Sequence, residues 1–136
     1  MANWDHVFAY DDDAADWLEA QGYPHPPAWP GGRLPTRAEV ERAVAALGLP
    51  DPGPLAIELD GDRDSLKVRG DTLLELRLVR SLCEACGPLW LYPDCGSPAI
   101  VVDASAAPEE LAASWLASLD VEDSWRAFHQ QAYGAS

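Results

Sequence analysis

Apolar residues recur at helical spacing in the first half of the chain, and residues that favour helix ends flank them. The segment Asp12–Gln21 places apolar side chains at i, i+3 and i+4, behind aspartates that suit a helix N-terminus. Thr36 and Glu39 have the spacing of a capping box ahead of a second apolar face, which Gly48 follows. Two helices are therefore predicted here, separated by a proline-rich segment that fits neither a helix nor a central strand.

The middle of the chain alternates apolar and polar residues on both sides of a segment rich in Gly and Asp. The alternating runs are Leu55–Leu59 and Ser65–Arg69, and the segment between them is Asp60–Asp64. Alternation with period two on either side of a Gly/Asp turn predicts a β-hairpin.

The segment after this hairpin fits two patterns. Asp71 can cap a helix that extends to Cys86, but residues 74–78 also alternate with period two, as a strand would. Because the apolar positions beyond them keep helical spacing, we favour the helix and leave a strand over 72–82 as the alternative.

The last third of the chain predicts a second strand pair and then two helices. Pro88–Tyr92 and Ala99–Val102 are the candidate strands, one helix begins at Pro108, and another carries Trp125 and Tyr133. The expected fold class is therefore α+β, in the order ααββαββαα. It has a small, mostly antiparallel sheet of about four strands, formed by two hairpins and covered by four to five helices. A chain of 136 residues fits a single domain.

The charge balance narrows the class of partner. The chain has 23 acidic and 9 basic residues, a formal net charge of −14. Nucleic acids and anionic membranes need basic patches on the proteins that bind them, so neither is an expected partner.

The N-terminal residues lack the basic and apolar regions of a signal peptide, and an odd number of cysteines fits a disulfide scaffold poorly. A cytoplasmic location is therefore expected.

Two groups of residues invite a metal-binding interpretation. Cys83 and Cys86 form a CxxC, half of a zinc-ribbon site, but only Cys95 is available for the second half. Two buried thiols on one face of a core helix are the preferred interpretation. No metal and no cofactor is therefore expected.

An acidic segment has some of the residues of a calcium-binding loop. Asp60, Asp62, Asp64 and Asp71 occupy positions 1, 3, 5 and 12 of an EF-hand count, but Ser65 stands where that loop needs glycine. Strands are also predicted on either side, so a polar hairpin turn is favoured. The sequence contains no recognisable catalytic motif, and an enzyme is not expected.

Acidic residues and tryptophans remain as the candidate functional residues. The chain has six tryptophans, and tryptophan is enriched among the residues that anchor protein interfaces. We expect the partner-binding residues to be acidic clusters together with aromatic anchors: Asp11, Asp12, Asp13, Asp60, Asp62, Asp64, Trp90, Asp94, Asp120, Glu122, Asp123 and Trp125.

These features predict a binding protein for a basic partner. At the level of class only, with no family motif, the chain resembles the acidic immunity or antitoxin proteins that bacteria pair with toxic enzymes. The expected mechanism is inhibition by covering the partner's active cleft, and the partner is expected to be a toxin or effector enzyme encoded nearby. The first alternative is a non-catalytic accessory or ligand-binding domain that could form a homodimer. A small metal-binding protein or enzyme is the second.

Overall fold

A computed structural model describes residues 4–22, 31–48, 55–60, 65–92 and 97–133. These residues form an α+β fold with five helices and one antiparallel sheet of five strands. In chain order the elements are β1 (Asp5–Ala9), α1 (Asp12–Ala20), α2 (Arg37–Leu47), β2 (Ala56–Asp60), β3 (Ser65–Arg69), α3 (Thr72–Cys86), β4 (Leu89–Tyr92), β5 (Ile100–Val102), α4 (Pro108–Ser118) and α5 (Ser124–Tyr133). None of the helices in the described ranges has the length and apolarity needed to cross a bilayer.

The predicted fold class and both hairpins are confirmed, but the expected count of four strands is wrong by one. The additional strand, β1, precedes all the predicted elements and lies at the centre of the sheet, whose order is β2-β3-β1-β4-β5. β1 pairs antiparallel with β3 on one side and with β4 on the other, and so joins the two hairpins. Its pattern is weak because only Val7 is fully buried within it, while Phe8 is a large apolar residue on the opposite, exposed side.

The predicted ends of α2 are confirmed by its capping contacts. Glu39 N donates to Thr36 Oγ1 at 3.2 Å, and Thr36 N donates to Glu39 Oε1 at 2.9 Å, which completes the capping box of α2. Gly48 ends this helix with a φ of 68°, a left-handed conformation that glycine adopts readily. The guanidinium of Arg33 donates two bonds of 2.8 Å to the Glu39 carboxylate and lowers the pKa of that group to about 2.

The segment that fitted two patterns is helix α3, capped by Asp71, whose Oδ1 accepts from Leu73 N at 2.9 Å. α3 packs on the inner face of the sheet, and α2 and α4 lie against it. The main core forms between this helix and the inward side chains of the strands, which include Val7, Leu66, Leu91 and Val102.

Helices cover only part of the outer face of the sheet. A second apolar cluster forms where Tyr10 and α1, through Leu18, pack against Val101 of β5. The Tyr133 hydroxyl donates to Val101 O and accepts from Val101 N, both at 2.8 Å, and so satisfies the backbone of β5 from α5. The β1–β4 region beside this cluster has an exposed aromatic side chain, Phe8, and half-buried ones at Trp90 and Tyr92.

A buried carboxyl connects α3 to β1. Glu75 is 1% exposed, accepts a hydrogen bond from Gly70 N at 3.0 Å and lies against the Asp5 carboxyl. Burial, followed by the proximity of Asp5, raises the pKa of Glu75 well above its ordinary value of 4.5. In the folded protein this group is therefore protonated at neutral pH.

Replacing Glu75 by Gln should stabilise the protein at neutral and alkaline pH. Between pH 4.5 and the raised pKa, the unfolded chain releases a proton that the folded chain retains, so stability falls as pH rises. Glutamine is neutral in both states and removes this loss. We expect E75Q to melt about 3 °C or more above the parent protein at pH 8, with a difference that shrinks towards pH 5.

The control is Glu41→Gln, at an exposed position on α2. E41Q should follow the parent melting curve at both pH values. A parent protein with the same pH dependence as E75Q would show that Glu75 does not retain its proton on folding.

Candidate functional site

The strand register brings aromatic residues together on the outer face of the sheet. Phe8 of β1 pairs with Trp90 of β4, and His6 pairs with Tyr92 two positions further along. Because side chains alternate across a strand, these four residues share the face opposite to Val7. α1 and α5 then bring Trp17 and Trp125 to the same region.

Trp90 lies at the centre of this group. Its ring centroid is 5.3 Å from that of Phe8, 5.7 Å from that of Trp17 and 5.8 Å from that of Tyr92. Trp125 contacts Trp17 at 5.9 Å and Tyr92 at 5.8 Å. These distances and tilted or edge-on geometries are those of favourable aromatic pairs. We call the five residues the aromatic face: Phe8, Trp17, Trp90, Tyr92 and Trp125.

The aromatic face is a surface and not a core. Phe8 is 38% exposed and Trp17 is 39% exposed, while the other three residues are half-buried. Contiguous exposed apolar side chains on a folded protein commonly mark an interaction site. Since each ring is also held by neighbouring rings, the surface is ordered before any partner binds.

Acidic residues border the aromatic face at the start of α1. Asp11 and Asp13 line a cavity of about 460 Å³ together with Phe8, Trp17 and Trp90. Asp11 accepts a hydrogen bond from Ala14 N at 3.0 Å and so caps the helix. Asp13 precedes Trp17 by four residues and therefore lies on the same side of α1.

The structure brings four of the predicted binding residues to this surface: Asp11, Asp13, Trp90 and Trp125. Asp12 is exposed on α1 but does not line the cavity. Asp60 ends β2, which is separated from β1 by β3. Asp62, Asp64 and Asp94 lie outside the described residues.

The remaining predicted acids form a separate exposed group. Asp120, Glu122 and Asp123 occupy the turn between α4 and α5, which leads directly to Trp125. Asp123 forms an ion pair of 3.1 Å with Arg126. This turn adds negative charge next to the α5 end of the aromatic face.

Sequence reasoning missed three members of the aromatic face, Phe8, Trp17 and Tyr92. Tyr92 lies at the end of a predicted strand, but no pattern in the sequence marked it as a binding residue. The spacing of Ala14, Trp17 and Leu18 predicts one apolar face of α1, but Trp17 lies at the margin of that face and contacts Trp90 and Trp125. Phe8 was not singled out because β1 was not predicted. Its position one residue after an inward valine is the signal that could have located it, once residues 5–9 were recognised as a strand.

The cysteine pair is placed in the core. Cys83 and Cys86 are 3% and 4% exposed, and burial raises the pKa of the Cys83 thiol to about 12 and that of Cys86 in the same direction. Both thiols are therefore protonated at neutral pH. Within the described ranges, no three His, Cys, Asp or Glu side chains come together as metal ligands. Cys95 lies outside these ranges.

The acidic segment with the EF-hand count is flanked by strands. β2 and β3 pair antiparallel from Ala56 opposite Arg69 to Asp60 opposite Ser65, as the predicted hairpin requires. Asp71, the last residue of the count, caps α3. An EF-hand has helices on both sides of its loop, so this hairpin differs from one.

A second cavity differs chemically from the aromatic one. It has a volume of about 380 Å³ and lies between α2 and β2, where Val40, Val44, Ile57 and Leu59 form an aliphatic lining. Arg37 and Glu41, of opposite charge, complete the lining. This groove therefore shows no preference for a charged partner, whereas the aromatic cavity has carboxylates alone at its margin.

The chain matches no protein-family model, no curated protein and no solved structure.

Substitutions at two adjacent positions of β1 should differ in their cost in unfolding free energy, because one side chain lies in the core and the other on the surface. Val7→Thr places a hydroxyl in a fully buried site and should cost about 1–3 kcal/mol of unfolding free energy. Phe8→Thr keeps a good strand residue at an exposed position and loses one cross-strand pair, a cost of about 1 kcal/mol or less. Urea denaturation of the two variants measures both values. Equal costs would mean that the outer face is part of the core.

Proposed function

We propose that this chain is a small, acidic, non-catalytic binding protein that neutralises a basic partner protein. It does so by covering the partner's active cleft, as an immunity or antitoxin-like inhibitor would. The observation that supports this proposal is the exposed aromatic face bordered by the carboxylates of Asp11 and Asp13.

The aromatic residues supply the anchoring part of the interface. Trp side chains at the centre of an interface commonly account for much of the binding free energy. Trp90 is held by Phe8, Trp17 and Tyr92, so little side-chain freedom is left to lose on binding. The exposed edges of Phe8 and Trp17 are the areas that a partner would bury.

The acidic residues supply selectivity for basic partners and a fast association rate. A net charge of −14 attracts basic proteins at long range and raises association rates at low ionic strength. A partner's cleft that normally accepts phosphates or other anions would accept the carboxylates of Asp11 and Asp13 instead, and the partner's own substrate would then be excluded. A second copy of this chain would also carry a net charge of −14, so electrostatic repulsion disfavours a homodimer.

Affinity capture with matched variants tests the proposal. The tagged chain is incubated with lysate of the source organism at about 50 mM salt, where charges are weakly screened. We expect one basic protein to be retained in stoichiometric amount. Its own activity should fall to zero as the chain is titrated to equivalence, and its association rate should decrease more than tenfold by about 500 mM salt.

The two variants for this experiment are Phe8→Thr and the control Leu116→Gln. F8T should weaken binding of the captured protein by more than about tenfold, because it removes an exposed ring of the aromatic face. Leu116 is 57% exposed on α4 and belongs neither to the aromatic face nor to the lining of its cavity, so L116Q should bind as the parent chain does. Salt-independent association, an acidic partner, a partner whose activity survives, or equal effects of the two substitutions would contradict the proposal.

A further inference from the structure

We infer that the cavity between Phe8, Trp17 and Trp90 is a binding site for an arginine side chain of the basic partner. This inference rests on the proposed function and specifies the chemical group that the aromatic face receives. Three features of the cavity lead to it: its aromatic walls, its carboxylates, and the chain's own use of the same contact elsewhere.

The walls have the arrangement that a flat cation requires. Trp90 lies between the other two rings, and its plane is inclined by 40° to Phe8 and by 38° to Trp17. Neither pair is therefore stacked face to face, and Phe8 and Trp17 stay partly exposed on either side of Trp90. The faces of aromatic rings attract cations, and indole does so most strongly.

The carboxylates decide which occupant fits. Asp11 and Asp13 are the charged groups that line the cavity, and both are negative. Asp11 uses Oδ1 to cap α1, so its second oxygen stays available for a ligand. Anions are excluded by this charge, and an apolar side chain would leave the carboxylates without a partner.

Guanidinium fits this combination better than ammonium does. It is planar, weakly hydrated, and able to stack on a ring while its N–H groups donate to a carboxylate. A lysine ammonium is a compact and strongly hydrated charge with no flat face. The aromatic lining of the cavity and its carboxylates therefore favour arginine.

The same contact occurs within the chain, on the same face of the sheet. The guanidinium carbon of Arg69 lies 4.5 Å from the ring centroid of Trp4. Arg33 precedes Leu34, which lines the cavity. Its guanidinium is held by Glu39 through two hydrogen bonds of 2.8 Å, so this arginine is engaged elsewhere. An arginine from outside the chain is thus the occupant that we infer.

A short peptide tests the site without the partner. The probes are acetyl-Gly-Arg-Gly-amide and the same peptide with citrulline or lysine in place of arginine. Binding is followed through the indole N–H signals of Trp17 and Trp90 in NMR titrations. Citrulline keeps the shape of arginine without its charge, so we expect the arginine peptide to bind about tenfold more tightly than either of the others.

Two double substitutions, in and just before α1, distinguish the effect of the cavity carboxylates on binding from the effect of the protein's overall negative charge. Asp11→Asn with Asp13→Asn neutralises the lining carboxylates, and asparagine caps a helix as well as aspartate does. Asp16→Asn with Glu19→Gln changes the net charge equally at exposed positions that do not line the cavity. We expect D11N/D13N to weaken the arginine peptide by about tenfold and D16N/E19Q to leave it within about twofold of the parent chain.

Each other outcome overturns the inference. Equal affinities for the arginine and citrulline peptides would show that the charge does not contribute to binding. Equal affinities for the arginine and lysine peptides would show that the site does not prefer guanidinium. Equal effects of the two double variants would assign the attraction to the field of the whole protein.

Failure of this inference is distinguishable from failure of the proposed function. If the peptide does not bind but F8T still releases the captured basic protein, only the arginine site is refuted. If the peptide binds as expected but no basic protein is captured and inhibited, the proposed function fails and the site remains.

Discussion

The backbone pairing of β1 with both β3 and β4 is the interaction on which the rest of this structure depends. Without it, the two hairpins would be separate two-stranded units, which are at best marginally stable in water. With β1 between them, five strands share one sheet and one continuous inner face. Val7 completes that inner face, and the next residue, Phe8, is thereby fixed on the outer face.

The position of the acidic residues follows from the same strand. β1 leads into α1 through Tyr10, whose N–H donates to Pro88 O at 3.0 Å and whose carbonyl accepts from the N–H groups of Gly31 and Gly32 at 2.9 and 3.0 Å. Gly32 leaves no room for a Cβ atom against the Pro88 carbonyl. This junction holds the beginning of α1 beside Trp90, so the carboxylates and the rings form one surface.

Local patterns in the sequence were sufficient for most of the fold. Capping residues located α2, and the alternation around the Gly/Asp segment located the first hairpin, because both features depend on neighbours a few residues apart. β1 was missed because its alternation is obscured at both ends. Asp5, a charged residue, is half-buried against Glu75, while Phe8, a large apolar residue, faces outwards.

The candidate site could be predicted only in part, for the same reason. The sequence marked Asp11, Asp13, Trp90 and Trp125 as candidate binding residues, since charge and residue type are visible without a structure. Their proximity depends on the β1–β4 register, which pairs residues separated by about eighty positions. No local pattern specifies such a pairing, so Phe8 and Trp17 could not be joined to the other residues beforehand.

The proposed function requires the aromatic face, with Asp11 and Asp13 at its border, to contact the basic partner. Hydroxyl-radical footprinting of the complex with the captured protein measures this contact, since aromatic side chains react readily when exposed. We expect Phe8, Trp17 and Trp90 to be protected in the complex, and the reactivity of the groove around Val44 and Ile57 to be unchanged. Protection confined to that groove, with Phe8 and Trp17 as reactive as in the free chain, would contradict it.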